Sequence, residues 1–125
     1  MQRYSAAAKL AAAAALLLAA PVGCGGHPAA PRPVACGTTR TAAHVPVRIE
    51  IRSGQVSCQT ALRVERAYAQ AVAAGRAPGN GGGGPVRVGG WTCEGFATPV
   101  VLRTGKASKC VQGASEILAI LPVPA

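Results

Sequence analysis

From Val45 to Arg52 apolar and polar side chains alternate, with Val45, Val47, Ile49 and Ile51 set between Pro46, Arg48, Glu50 and Arg52. A period of two sends one set to each face of a strand, so this stretch predicts a half-buried strand. Pro46 has no N–H for a ladder, which places it at a sheet edge or at the strand's beginning. Residues 36–42 supply a preceding hairpin arm that turns near Ala43 and His44, and Ser53-Gly54 mark the next turn. The period then lengthens. Cys58, Ala61, Val64, Tyr68, Ala71 and Val72 recur at spacings of three and four, while Gln59, Arg63, Arg66 and Gln70 face away. With Ser57 as N-cap, Gly75 as stop and Pro78 just beyond, the spacing predicts an amphipathic helix over 57–74.

After the helix, residues 77–85 (APGNGGGGP) read as a flexible connector. Their glycines lack the Lys-Ser/Thr that a phosphate-cradling loop carries into a helix. Val86-Arg87-Val88 resume strand character, Gly89-Gly90 suit a bulge or kink, and Trp91 and Cys93 alternate with Thr92 and Glu94. Further strands are expected over 100–103 or near 109–111, and over 117–121, with turns at Gly105 and Gly113. The sum is an α+β domain: one amphipathic helix packed on a small antiparallel sheet of four to five strands.

The first 23 residues have another character. Arg3 and Lys9 precede an 11-residue run of Leu and Ala over 10–20, which Pro21 ends. A short basic region, a short apolar stretch and small residues have the form of a secretory signal peptide. The run is well below the roughly 20 residues needed to span a bilayer. Pro21-Val22-Gly23-Cys24 resembles a bacterial lipobox, although Pro21 stands where an aliphatic residue is usual. Two outcomes follow: lipidation of Cys24, or cleavage a few residues later that discards it. Residues 24–35, rich in Pro, Gly and Ala, form a tether, and residues 36–125 form the folded domain.

Either route leaves Cys36, Cys58, Cys93 and Cys110, an even set suited to an oxidising compartment. Two disulfides are expected, each worth roughly 3 kcal/mol to a domain with a small core. A hairpin turning near Ala43 favours Cys36–Cys58, and one centred near Val101 favours Cys93–Cys110. A bridge from the helix start to the sheet is the alternative. Intervals of 21, 34 and 16 residues lack the close pairs of a structural zinc site, and no metal or other cofactor is expected.

The chain carries 13 Lys and Arg against four Glu, and without Arg3 and Lys9 its net charge is still +7. This balance favours an anionic partner. No Lys/Arg run exceeds two residues, so a nucleic-acid-binding arm is not expected. Glu50, Glu65, Glu94 and Glu116 each sit where a strand or helix surface expects a charge. His27 lies in the tether and His44 in a turn, and no serine occurs in a nucleophile motif, so no catalytic residue is assigned. Trp91 is read as a core residue packed near a disulfide, with an exposed anchor as the other reading.

The segments Gly54-Gln55-Val56-Ser57-Cys58-Gln59-Thr60-Ala61, Gly90-Trp91-Thr92-Cys93 and Cys110-Val111-Gln112-Gly113 recur here in an order and spacing that resemble a group of small exported proteins and lipoproteins of actinobacteria, including mycobacteria and streptomycetes. The similarity covers about residues 36–121. It implies an actinobacterial source and a disulfide-stapled helix-on-sheet domain, and it brings no activity and no site residues.

The expected function is that of an exported, non-catalytic binding or accessory module of the cell envelope. It would be a monomer that meets an anionic envelope component or another protein, touching membrane through a lipid on Cys24 if at all. The candidate surface comprises Arg48, Arg52, Arg63 and Arg66 with Trp91 and Phe96. The alternative is a secreted protease inhibitor that uses residues 94–98 as a stiff exposed loop. Intact mass of the membrane and supernatant species checks the processing. A lipidated chain starts at Cys24 with an added diacylglyceryl mass, and a secreted one starts later. In either, reduction should add about four hydrogens, two for each bridge, and no gain would overturn the two-disulfide reading.

Overall fold

The computed structural model, which describes residues 32–79 and 83–122, turns the alternation around Ile49 into strand β2 (Pro46–Ser53), with Val47, Ile49 and Ile51 buried and Arg48 and Arg52 exposed. Pro46 is the first residue of β2, where its missing N–H is harmless. Before it comes β1 (Val34–Arg40), joined by a turn in which the Thr41 N–H donates to the Val45 carbonyl. His44 lies in this turn with φ of 63°.

Helix α1 (Cys58–Ala73) begins as its sequence predicts, with the Oγ of Ser57 accepting the Thr60 N–H at 3.1 Å. It stops at Gly75, whose φ of 72° is left-handed and whose N–H donates to the Val72 carbonyl. Next come β3 (Val86–Val88), β4 (Trp91–Gly95), helix α2 (Thr98–Thr104), β5 (Lys106–Gln112) and β6 (Ser115–Ile120). The strands form one antiparallel sheet in the order β1-β2-β6-β5-β4-β3. The domain is thus α+β and stapled by two disulfides, with six strands among the described residues rather than four to five.

Two local expectations change. Residues 100–103 lie in α2 rather than in a strand. Val100 and Val101 suggest a strand by composition, but Pro99 opens the helix and Gly105, at φ of 73°, closes it. The 94–98 segment is not a free loop either. Glu94 and Gly95 are paired in β4, the Phe96 N–H donates to the Ala107 carbonyl, and Thr98 starts α2.

The core lies between α1 and one face of the sheet, where Ala61, Val64, Tyr68 and Ala71 meet Ile49, Trp91 and Ile117. Trp91 is 5% exposed, so it is a core residue and not a surface anchor. The opposite face of the sheet carries the charges. Glu50, Leu118, Lys109 and Glu94 stand in register across β2, β6, β5 and β4. Arg48 pairs with Glu50 at 2.8 Å and Lys109 with Glu94 at 3.2 Å.

The bridges are Cys36–Cys58, which ties β1 to the start of α1, and Cys93–Cys110, which joins directly opposed residues of β4 and β5. Cys93 and Cys110 are fully buried, whereas Cys36 and Cys58 are partly exposed. A thiolate must reach sulfur to reduce a disulfide. Dithiothreitol on the native protein should therefore open Cys36–Cys58 first and leave Cys93–Cys110 intact until the domain unfolds. Alkylation and peptide mapping read the order, and simultaneous loss would contradict it.

Candidate functional site

Glu65 departs from its expected surface position. It lies four residues after Ala61 and three before Tyr68, in the middle of the apolar face of α1, and is only 4% exposed. That spacing was available in the sequence, but the charge of the residue argued for the outer face. Its Oε1 lies 3.7 Å from the Sγ of Cys110. Cys110 is oxidised and its sulfur has no proton to donate, so this contact does not compensate the buried carboxyl. Among the described residues no N–H or O–H donates to Glu65. Desolvation pushes its pKa up from 4.5 to about 7. Tyr68, one turn on, is raised above its ordinary value by burial and then by the charges of Glu65 and Glu94.

These side chains border a cavity of about 260 Å³ between α1 and the sheet. Arg40 and Thr41 bound it where β1 turns towards β2, Val47 and Ala119 form part of its floor, and Phe96 and Ser108 lie at its β4–β5 side. The Arg40 guanidinium donates to the His44 carbonyl at 2.8 Å, which holds it against the turn. Lys109 lies 5.8 Å from the Phe96 ring centroid. A second, larger hollow of about 580 Å³ runs beside α2 and the end of β6, where Leu102 is 82% exposed.

The candidate surface drawn from the sequence is divided. Arg48 and Arg52 project from the open face of the sheet, Arg63 and Arg66 from the outside of α1, and Trp91 lies in the core between these layers. Phe96 is half-buried at the cavity. Cys24, with the residues read as a signal peptide and most of those read as a tether, lies outside the described residues. Among the described residues no cluster of His, Cys, Asp or Glu could hold a metal ion, and no helix is long and apolar enough to cross a membrane.

The placement of carboxylates gives the molecule two electrostatic sides. Glu50, Glu94 and Glu116 all lie on the open sheet face, as their registers with Leu118, Lys109 and Val111 require. The fourth, Glu65, is buried. The outside of α1 therefore presents Arg63 and Arg66, with Arg76 just past its end, and no exposed carboxylate. Both arginines lie along their own helix: Arg66 Nε donates to the Leu62 carbonyl at 3.2 Å and Arg63 Nη2 to Thr60 Oγ1 at 3.4 Å. No family model, curated protein or solved structure matches the chain.

Burial of Glu65 makes stability depend on pH. Between about 4.5 and about 7 the folded protein keeps a proton that the unfolded chain has released. Stability is thus full below pH 4.5 and falls as pH rises through 7, by on the order of 3 kcal/mol. Glu65→Gln should remove this decline, raising the melting temperature at pH 8 with little change in acid. Parallel pH profiles for the two proteins would refute the assignment.

Proposed function

We propose that this protein is an exported, non-catalytic binding module of the cell envelope, and that it meets an anionic envelope surface through the outside of α1. The observation that carries the reading is the segregation of charge: Arg63, Arg66 and Arg76 stand where, among the described residues, no exposed carboxylate offsets them. The open sheet face also bears cations, Arg52 among them, but it carries Glu50, Glu94 and Glu116 as well, and Arg48 and Lys109 are paired there with Glu50 and Glu94. A surface of one sign attracts the opposite sign over about a Debye length, and unpaired guanidinium groups have donors to spare for phosphate or carboxylate. The two disulfides fit the oxidising, extracytoplasmic compartment that such a role requires.

A binding role also agrees with the cavity chemistry. General acid–base catalysis uses a positioned group with a pKa near the working pH, as Glu65 has, and commonly a second group that returns the proton. Glu65 is the carboxyl in this cavity, and Tyr68, its titratable neighbour, is shifted further from neutrality. The paired β4 and the start of α2 leave residues 94–98 without the free extended backbone that a protease-inhibiting loop would use.

Retention on isolated envelope fractions tests the reading. The wild-type protein should be held at low salt and released near 1 M, where the Debye length is about 3 Å. Arg63→Gln/Arg66→Gln/Arg76→Gln should lower retention several-fold, while Arg48→Gln/Arg52→Gln should change it little. Retention that ignores salt, or a triple variant that binds as well as the wild type, would overturn the proposal.

A further inference from the structure

The cavity beneath α1 combines features that a packed core avoids. It is bordered by a carboxyl that is 4% exposed and has no N–H or O–H partner among the described residues. Buried carboxyls are normally compensated by a donor or a cation. Here the remaining neighbours are chiefly apolar or aromatic, with Val47, Tyr68 and Phe96 on its walls. A carboxylate beside aromatic rings is the arrangement that receives an ammonium group, through an ion pair and through attraction to the ring faces. At roughly 30 Å³ for each water, a hollow of this size holds a ligand of on the order of ten non-hydrogen atoms.

We propose that this cavity is a binding site for a small primary amine with an apolar body, whose ammonium group is held by Glu65 beside Tyr68 and Phe96. The site is distinct from the arginine surface on the outside of α1, and the inference does not rest on the function assigned to that surface. Arg40 borders the same cavity, and its bond to the His44 carbonyl keeps it on the turn. A ligand that also carries a carboxylate would meet that guanidinium at the mouth.

Protonation adds a signature. The charged or titratable groups that border the cavity with Glu65 are Arg40 at the end of β1 and Tyr68 on α1 itself, and behind its wall Lys109 lies 5.8 Å from the Phe96 ring centroid, paired with Glu94, whose charge reaches Tyr68. The other neighbouring elements present Val47, Ser108, Ala119 and the oxidised Cys110, which do not titrate in the neutral range. An ammonium needs the ionised carboxylate, so affinity should follow the ionisation of Glu65 around pH 7. This predicts about tenfold tighter binding at pH 8 than at pH 6.

Phenethylamine, phenethyl alcohol and hydrocinnamate are close in size and differ in their head group. Calorimetric titration of the mature domain should show the amine binding at least tenfold more tightly than the alcohol at pH 8. The acid should bind more weakly than the amine. Glu65→Gln, with its fold checked by circular dichroism, should abolish both the preference for the amine and its pH dependence. Equal affinity for amine and alcohol, a flat pH profile, or no amine binding at millimolar concentration would each overturn the proposal. Loss of amine binding with envelope retention intact would leave the arginine surface standing, and the converse would leave the cavity site standing.

Discussion

Strand β6 is hydrogen-bonded along both edges, to β2 on one side and β5 on the other, and this double pairing makes two hairpin units into one sheet. The first unit, β1–β2, precedes α1 and the rest follows it, so the sheet is completed by the last strand in the chain. Burial on both faces reflects the central position of β6: Ile117 and Ala119 point to α1, and Leu118 lies on the open side between Glu50 and Lys109. Three consecutive residues at 0–2% exposure are what a strand shows when side chains cover both of its faces. Without this pairing, α1 would have half a sheet to cover and its apolar face would remain partly in water.

The same arrangement gives Glu65 its environment. Once α1 is laid across the sheet, the side chain between Ala61 and Tyr68 must point into the interlayer space. The disulfide directly beneath, Cys93–Cys110, presents a sulfur rather than a donor. Burial and the lack of compensation act in one direction, and both favour the neutral acid. A carboxyl kept in this condition works against stability at neutral pH.

The disulfides divide their labour in the fold. Cys93–Cys110 joins neighbouring strands already aligned by the ladder, within the buried layer. Cys36–Cys58 crosses between layers and fixes the edge strand β1 to the beginning of α1. That tie secures the outermost strand, which among the described residues has a partner on one side alone and which carries a bulge between Ala35 and Thr38. Both bridges suit a domain of this size outside the reducing cytoplasm.

Local features were legible in the chain before any contact was known. The period of two through Val47, Ile49 and Ile51, the cap at Ser57 and the stop at Gly75 each depend on neighbours within a few residues, and they reappear in β2 and α1. Both observed cysteine pairings were the ones favoured by folding nearby segments back on themselves, with a bridge from the helix start to the sheet as the alternative. Helix α2 was not read from the chain, because the β-branched Val100 and Val101 pointed to a strand, while Pro99 and Gly105 bound the helix in the fold. The sheet order, the central place of β6, the separation of Arg48 and Arg52 from Arg63 and Arg66, and the burial of Glu65 were settled by tertiary structure. These features depend on which distant strand lies opposite which face. A side chain's own period states that it shares a face with others, but the layer packed against that face comes from elsewhere in the chain.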